Sequence, residues 1–461
     1  MRTQFMGVGL QGQSPNVTAQ SRVNMYLEYS PQGDKTQVSA YGTPGLELFV
    51  DFGDTPIRAH YALGNLDYVV HRGSFWEINN AGVKTNRGSL LTTSGRCSIV
   101  DNGQEIMIVD GTYGYIYDIA TTTLTQIVDA DFPANPVTVT FEGGYFIISL
   151  ADSGKFYKSA LYDGTAWDAL DFATAESNPD NLIAAQADHG DLVLFGDVTT
   201  EFWGNTGALD FPYSRIPGAN VEWGLAARWS VAKYDNSLMY LGKNRMGEVQ
   251  VVRLNGYQPQ RVSDHAVEHI INSGTTADAT AYAYLIDGHP MYQINFPTLD
   301  RSFLFDGSTK VWSELKSGTS RHRGEIGANY LSGKYVSDYE TGKIYRIAGD
   351  VYTDNGTPIL RELTGRHFER NMDWFTIKQF ILDMETGVGA ETGQGTNPQI
   401  MLQYSTDNGH TWSEELWAAA GAIGAYSTRA EWWRLGRFRD AVFRIRISDP
   451  VKVVITGAGL K

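Results

Sequence analysis

The sequence predicts an all-β protein in which a β-propeller is followed by a C-terminal β-sandwich-like domain. Three observations favour this fold class: a composition suited to strands and turns, a hairpin pattern that recurs along most of the chain, and a change in charge near residue 360. Aromatic residues make up 12% of the chain and glycine occurs 49 times, whereas charged residues make up only 19%. Aromatic side chains favour pleated, half-buried strands, and glycine favours the tight turns between them.

The recurring unit is a β-hairpin. A turn of Gly, Asn, Asp or Ser precedes an alternating strand, a second turn and a strand that carries an aromatic residue. Seven copies begin at Gly64, Asn102, Gly143, His189, Asp235, Asp287 and Ser332. Their spacing of about 38 to 52 residues matches the blade period of a propeller. The pattern predicts seven blades, or six if one hairpin only helps to close the ring; the alternative is a series of unrelated hairpins in two sandwiches.

The charge distribution divides the chain into regions. The whole chain has 37 Lys and Arg against 52 Asp and Glu, whereas residues 360–461 have 12 of each, so the net charge of −15 lies in residues 1–359. We therefore expect three regions. Residues 1–50 form an extended segment that contributes to the propeller or to a contact with a neighbour, residues 51–359 form the propeller, and residues 360–461 form the sandwich-like domain.

One strand of the last region has a basic face. Residues 442–447 alternate apolar side chains with Arg444 and Arg446, which predicts one buried face and one basic face. The basic face either meets an acidic partner or is solvated, and the sequence does not separate these alternatives.

The composition also limits the classes of function. Cys97 is the single cysteine, which excludes an intrachain disulfide and fits assembly in a reducing cytoplasm. No apolar run is long enough to cross a bilayer, so no membrane insertion is expected. The net negative charge argues against tight binding to phosphate backbones, because such binding needs a basic footprint.

Two short patterns resemble ligand sites without the context that such sites need. His265 and His269 lie four residues apart on a predicted helix, but no third ligand accompanies them, so neither a metal nor a cofactor is expected. The glycines from Gly7 to Gly12 match G-x-G-x-x-G. No strand precedes them and no helix start follows, so we expect a flexible segment rather than a nucleotide-binding loop.

Residues Ser405, Asp407, Gly409 and Trp412 form the pattern S-x-D-x-G-x-x-W, which resembles the Asp box of sialidases and related sugar-cleaving propellers. The pattern occurs once, beyond the propeller, and no arginine recurs at a fixed place in the hairpins to hold a substrate carboxylate. We therefore expect a structural turn in which Asp407 accepts backbone hydrogen bonds, Gly409 takes a positive φ and Trp412 packs under the turn. No catalytic residue is predicted, and a carbohydrate-binding or glycan-hydrolysing propeller is the alternative function.

Three collinear stretches carry a resemblance to a known family. The first is VNMY at residues 23–26 followed by Thr43-Pro44-Gly45. The second is ESNPDNLIAAQADHGDLVLFGDVTTEFWGNTGA at residues 176–208, and the third is the C-terminal WWRLGRFRDAVFRIRISDPVKVVITGAGLK. In these stretches the chain resembles the packaged-DNA stabilisation proteins, the tail hub or nozzle of short-tailed, podovirus-type bacteriophages.

The resemblance implies a structural virion protein of the phage tail, assembled in the host cytoplasm and without enzyme activity. It implies a homo-oligomer, a hexamer in that family, that extends the DNA channel of the portal and adaptor and retains the packaged genome. It also implies contacts with the head-to-tail adaptor protein, with tail spikes or fibres and with a tail tip or needle. Genomic DNA would pass through the lumen without sequence-specific binding, and an acidic wall suits that passage because a basic lining would hold the phosphates.

Overall fold

A computed structural model of the chain describes residues 2–3, 5–175, 180–208, 210–330 and 333–461. Residues 176–179, which begin the ESNPDN stretch of the family resemblance, and Ser332, which begins the last hairpin, lie outside the described residues. Within these ranges the chain forms 44 β-strands and one α-helix, α1 (His265–Ile271). The predicted all-β class is confirmed. With seven residues, the one described helix falls far short of a bilayer's thickness.

The N-terminal region supplies strands to both parts of the fold. These strands are β1 (Arg2–Thr3), β2 (Ser21–Val23), β3 (Met25–Tyr29), β4 (Val38–Gly42) and β5 (Gly45–Asp51). Strand β5 belongs to the propeller, whereas β1, β2 and β4 pair with strands from the C-terminal region and β3 pairs with β4.

The first four blades of the propeller are antiparallel sheets of four consecutive strands each, within the described residues. Blade one consists of β6 (Ile57–Leu63), β7 (Leu66–His71), β8 (Ser74–Ile78) and β9 (Lys84–Ser89). Blade two consists of β10 (Ser98–Asp101), β11 (Glu105–Val109), β12 (Gly114–Asp118) and β13 (Thr123–Gln126). Blade three consists of β14 (Pro136–Glu142), β15 (Tyr145–Leu150), β16 (Lys155–Ala160) and β17 (Asp163–Thr174). Blade four consists of β18 (Leu182–Asp188), β19 (Asp191–Gly196), β20 (Thr200–Asn205) and β21 (Tyr213–Val221).

The last three blades vary this plan. Blade five begins with two short strands and consists of β22 (Gly224–Leu225), β23 (Ala232–Lys233), β24 (Leu238–Lys243), β25 (Val249–Asn255) and β26 (Gln258–Arg261). Blade six consists of β27 (Thr280–Ile286), β28 (His289–Phe296), β29 (Arg301–Asp306) and β30 (Val311–Ser317), with the short β31 (Ser320–Arg321) beside β30. Blade seven consists of β32 (Gly324–Tyr330), β33 (Gly333–Asp338), β34 (Lys343–Ala348) and, on its outer side, β5.

Each predicted hairpin corresponds to the two middle strands of one blade, so the described residues form seven blades and not six. The ring closes because β5, from the N-terminal region, pairs with β34 from Gly45–Ala348 to Asp51–Lys343. The innermost strand of blade seven, β32, also contacts β6 of blade one. Apolar side chains fill the space between blades: the rings of Phe75 and Tyr117, from blades one and two, meet edge to face with centroids 5.2 Å apart.

The remaining strands extend blade seven and build the sandwich. Blade seven gains β35 (Thr353–Asp354) and β36 (Thr357–Pro358). The sandwich adds β37 (Arg361–Thr364), β38 (Phe368–Glu369), β39 (Phe375–Met384), β40 (Gln399–Ser405), β41 (Leu416–Ala419), β42 (Ala430–Phe438), β43 (Asp440–Ile447) and β44 (Val454–Leu460). One sheet has the order β3-β4-β44-β39-β42 and the other β2-β37-β43-β40-β41. Between them lies an apolar core in which the Phe380 and Phe443 ring centroids are 4.7 Å apart.

The sandwich is continuous with the propeller. Strand β2 pairs antiparallel with β37 of the sandwich and, on its other side, parallel with β30 of blade six through Val23 and Glu314. The second sheet of the sandwich and the sheet of blade six therefore form one hydrogen-bonded sheet. The chain segment that makes this connection comes from the N-terminal region, far in sequence from both partners.

Candidate functional site

The propeller and the sandwich meet around two buried arginines, Arg22 and Arg361, each only 1% exposed. The Arg22 guanidinium donates to the carbonyl oxygens of residues 7–9, at 2.7 to 3.1 Å. It also donates to the carbonyl oxygen of Trp312 in β30, at 2.7 Å. Burial lowers the pKa of Arg22 to about 10, so the side chain stays charged at neutral pH. One guanidinium thus attaches the N-terminal segment to blade six.

The expectation that Gly7–Gly12 is a flexible segment is therefore wrong. Phe5 and Leu10 are buried. A Cβ on Gly7 would overlap the side-chain amide of Gln20, and one on Gly12 would lie 3.2 Å from the backbone of Ala266 in α1. The glycines permit close packing rather than phosphate binding. No local pattern signals this role, because Arg22 and the carbonyl groups that it binds come together only in the folded chain.

Asn24 lies where the chain passes from β2 in one sandwich sheet to β3 in the other. Its φ of 55° is in the left-handed region, which asparagine tolerates better than most residues. Its Nδ2 donates to the carbonyl oxygens of Lys316 and Leu360, each at 2.9 Å. Its Oδ1 accepts from the Lys316 N–H, also at 2.9 Å. The asparagine of the VNMY stretch thus joins the N-terminal segment, blade six and the chain entering the sandwich.

Arg361 occupies the other side of this junction. Its guanidinium carbon lies 5.7 Å from the centroid of the Tyr352 ring, and its Nη2 donates to the Thr43 carbonyl oxygen at 3.4 Å. Asp354 stands nearby, and burial raises the pKa of that carboxyl to about 6. A Cβ on Gly45 would overlap the Thr353 carbonyl oxygen. The Thr-Pro-Gly stretch of the family resemblance therefore packs closely at the start of β37, where Arg361 lies.

The structure brings Ser405, Asp407, Gly409 and Trp412 into the turn that follows β40. The Ser405 hydroxyl donates to Asp407 Oδ1 at 2.7 Å and accepts from the Gly409 N–H at 2.8 Å. Asp407 also accepts from the hydroxyl of Thr411 at 2.6 Å and from its N–H at 2.8 Å. The bonds from Thr411, followed by that from Ser405, hold the pKa of the Asp407 carboxyl well below its usual range. Gly409 has φ 94°.

The Asp-box turn contacts the N-terminal segment. A Cβ on Gly409 would lie 2.7 Å from the Ala19 Cβ, so glycine is needed for close approach as well as for its φ. His367 lies against the same segment: Nε2 is 3.0 Å from the Pro15 carbonyl oxygen, and Nδ1 is 2.8 Å from Asp440 Oδ2. The turn and His367 thus both border residues 15–19.

The basic face predicted for β43 is present, but the chain itself covers it. The guanidinium carbon of Arg444 lies 3.6 Å from the centroid of the Trp412 ring. Arg446 donates to Glu415 at 2.7 Å, and Glu362 lies 3.6 Å from both arginines. Each arginine is half-buried. Because these charges are paired within the chain, this face is neither simply solvated nor free for an acidic partner.

A second group of aromatic and basic side chains is exposed at the edge of the sandwich. Strands β41 and β42 are edge strands of the two sheets and meet there, where Trp432 Nε1 donates to the Leu416 carbonyl oxygen at 2.8 Å. Trp417 and Trp433 are each 59% exposed. We use the name Trp–Arg rim for this group, which consists of Trp374, Trp417, Trp433, Arg434, Arg437 and Arg439. Exposed tryptophan and arginine are enriched at protein–protein interfaces, so the rim is the candidate interaction surface of the sandwich.

Arginines also surround the third tryptophan of the rim. The guanidinium carbons of Arg437 and Arg439 lie 5.1 and 5.2 Å from the centroid of the Trp374 ring. Trp374 is nevertheless 51% exposed. Cation–π contacts of this kind hold the side chains in place without removing them from solvent.

No metal centre accompanies these features in the part of the chain that the structure describes, where no three His, Cys, Asp or Glu residues are grouped to hold an ion. His265 and His269 both lie on α1. His265 Nδ1 is 3.0 Å from Arg261 Nη2, so its ring takes part in a surface contact with a cation.

Comparison with known proteins gives a consistent result for both domains. Residues 6–352 match the family model described as the β-propeller of bacteriophage P22 Gp10, and residues 361–461 match the model of its β-sandwich. A curated relative, the tail hub protein gp10 of Salmonella phage P22, is 22% identical over 300 residues. That match covers 62% of this chain and 61% of the relative, so it spans about three fifths of the relative's length.

Solved structures resemble the chain only distantly. A chain of the mitotic checkpoint complex is 13% identical with a TM-score of 0.43, covering 70% of this chain and 96% of that one. The computationally designed Ika8 protein is 13% identical with a TM-score of 0.41, covering 71% and 100%. Likenesses at this level carry no conclusion. The family models, in contrast, cover both domains in order and confirm the resemblance of the sequence: this chain belongs to the bacteriophage P22 Gp10 family, the tail hub proteins of short-tailed phages.

Proposed function

We propose that this chain is a structural subunit of a phage tail hub. The observation that carries the proposal is the match of its propeller and its sandwich, in order, to the two domains of the P22 Gp10 family. The junction around Asn24 and Arg22 supports a mechanical role, because it places both domains on one continuous sheet. A shared sheet holds the propeller and the sandwich in a fixed relation, which a subunit of a rigid tube requires.

In this proposal the subunits form a ring, a hexamer, that extends the channel of the portal and adaptor. The ring retains the packaged genome until ejection and anchors tail spikes or fibres and a tip or needle. DNA passes through the lumen without sequence-specific contacts. The net charge of −15 in residues 1–359 supports this part of the proposal, because acidic walls repel phosphates and let the duplex slide.

We place the contacts between neighbouring virion subunits at the Trp–Arg rim. Its tryptophans are exposed although they are large and apolar. Among the described residues no carboxylate bonds to its arginines, whereas Arg446 of β43 donates to Glu415. An acidic neighbour would complement the rim, and the propeller of a second copy of this chain has that charge.

We infer no enzymatic role. In the Asp-box turn both carboxylate oxygens of Asp407 accept hydrogen bonds from Ser405 and Thr411, which gives the residue a structural task. The low pKa of the Asp407 carboxyl also makes it a poor proton donor. The Asp box, which suggested the carbohydrate-cleaving alternative, is therefore better explained as a structural turn.

The proposal is tested by assembly. Purified chain is mixed with the adaptor rings of the same phage and imaged by electron microscopy, with glycan binding and hydrolysis measured in parallel. We expect ring-shaped particles attached to the adaptor and no turnover of glycans. A chain that remains monomeric with adaptor rings present would contradict the hub, and glycan turnover lost on removal of one carboxylate would favour the alternative.

A further inference from the structure

The propeller axis contains a cavity of about 230 Å³. Residues from all seven blades line it, and most of these residues are small or uncharged, such as Ala184, Thr138 and Gly327. Two cationic side chains stand out in this lining, Arg96 and Arg228. The tail hub proposal assigns them no role, since it concerns the channel of the assembled ring and not the axis of a single propeller.

Arg96 precedes the inner strand of blade two and lacks a hydrogen-bond acceptor among the residues that the structure describes. Its guanidinium carbon lies 4.8 Å from the centroid of the Trp229 ring, which contributes only a cation–π contact. The carboxylate that acts on it most strongly is Glu325, which is already bonded to Arg321 at 2.6 Å. Burial lowers the pKa of Arg96 to about 10, so the guanidinium still carries its charge at neutral pH.

Arg228 also has hydrogen-bond donors without acceptors among the described residues. Its Nε donates to the Ile183 carbonyl oxygen at 2.9 Å, whereas its two terminal amino groups have no acceptor within the described chain. Burial lowers the pKa of this side chain as well. Two guanidinium groups therefore face one small cavity with most of their donors unused.

Such an arrangement suits an anion. Both side chains are half-buried, so their guanidinium groups are partly dehydrated at the cavity wall, where an anion would supply the acceptors that these donors lack. Guanidinium groups bind carboxylates and phosphates through paired N–H donors, and a cavity of this size holds a small oxyanion. We propose that the axial cavity of the propeller binds an oxyanion through Arg96 and Arg228. The anion is a free phosphate or a carboxylate that another virion protein inserts.

Thermal unfolding of the full chain tests this site. Inorganic phosphate is titrated at constant ionic strength against sodium chloride, and a peptide with a C-terminal carboxylate is titrated in a second series. We expect a saturable rise in Tm that is abolished in the Arg96→Met/Arg228→Met variant and kept in the Arg434→Met variant, whose arginine lies on the exposed rim. A rise with phosphate alone identifies a free oxyanion, and a rise with the peptide identifies an inserted carboxylate.

A second measurement separates binding from a merely structural role. Without multivalent anions, Arg96→Met is expected to melt at or above the temperature of the wild type, because it removes a half-buried charge that has no hydrogen-bond acceptor among the described residues. Crystals soaked in selenate should show an anomalous peak within hydrogen-bond reach of Arg96. Absence of saturable stabilisation of the wild type by either probe would overturn the proposal even if the variants fail to fold. An equal rise in the double variant would overturn it too.

Discussion

Asn24 and Lys316 bond to each other twice. Asn24 Nδ2 donates to the Lys316 carbonyl oxygen, and the Lys316 N–H donates to Asn24 Oδ1, each at 2.9 Å. The Asn24 amide thus makes the pair of hydrogen bonds that a neighbouring strand would make with the backbone at the end of β30. Because the third bond of Asn24 goes to Leu360, the contact fixes both the entry to the sandwich and the edge of blade six.

Replacing Asn24 with alanine should destabilise the whole chain by about 2–4 kcal/mol, because three hydrogen bonds are lost, buried groups stay unpaired and alanine is strained at φ 55°. The measurement is equilibrium unfolding in urea. Asn371→Ala is the control, since Asn371 has φ 50° but is exposed. If both variants lose the same free energy of unfolding, only backbone strain matters and the bonds to blade six contribute nothing.

Some parts of the fold are predictable from the sequence and others are not. Alternation and turn residues mark the middle strands of every blade, so the hairpins from Gly64 onward were predictable. Outer strands such as β9, whose sequence is KTNRGS, have no apolar alternation because only one side of them is covered. The pairing of β5 with β34 and the bond of Arg22 to Trp312 join residues about 300 positions apart. Local sequence patterns cannot predict contacts between residues so far apart. The Asp-box turn was predictable because its bonds are local, whereas its contact with Ala19 was not.

His322 should make the propeller sensitive to acid. Its Nδ1 lies 2.9 Å from Gln293 Nε2 and 3.1 Å from the Gly324 nitrogen, whose N–H donates to it. Burial, with help from Arg321, lowers the pKa of His322 to about 4. Because the folded-state pKa lies below the unfolded value of about 6.5, the stabilisation is present above pH 6.5 and is lost as the pH falls through 4.

Relative to a His322→Gln variant, the wild type should therefore lose about 3 kcal/mol of unfolding free energy between pH 7 and pH 4. Urea unfolding at several pH values measures this difference. His189→Gln is the control: His189 is exposed, and its bond to Asp188 raises its pKa, so its effect has the opposite sign. A pH-independent difference for His322→Gln would contradict the assignment.

Cys97 should be unreactive in the folded protein. Its side chain is 4% exposed, and burial raises the pKa of the thiol to about 12, so almost no thiolate is present at neutral pH. We expect no labelling by a thiol reagent such as DTNB under native conditions and stoichiometric labelling in guanidinium chloride. A Cys97→Ala variant gives the background, and rapid native labelling would show that the propeller opens near β10.

Removing the exposed tryptophans of the rim should impair assembly without affecting the fold. In the Trp417→Ala/Trp433→Ala variant we expect an unchanged Tm, because both side chains are largely in solvent, and at least a tenfold loss of particles in the adaptor assay if each tryptophan contributes about 1 kcal/mol or more. Analytical ultracentrifugation and electron microscopy provide the measurements. A Leu170→Ala variant, at an exposed apolar position on blade three, is the control. Normal assembly of the double variant would place the subunit contact elsewhere.

The Asp-box turn should hold the N-terminal segment in place by contact with residues 15–19, rather than act as a catalytic site. In Asp407→Ala the donors of Thr411 and Ser405 lose their common acceptor, and we expect a lower Tm together with faster proteolysis at residues 15–19. Because the folded-state pKa of Asp407 is depressed, the difference from the wild type should be full at neutral pH and should shrink as the pH falls below about 4.

Asp163→Ala is the matched control for this turn. Asp163 accepts two local bonds from Thr165 in the same manner, but its turn belongs to blade three and is remote in sequence from the N-terminal segment. Gly409→Ala supplies the complementary change, because it keeps the carboxylate and adds a methyl group against Ala19. If the turn holds the N-terminal segment, Asp407→Ala and Gly409→Ala should be sensitive to protease and Asp163→Ala should be resistant. Equal resistance in all three variants would leave the Asp box with no role beyond its own turn.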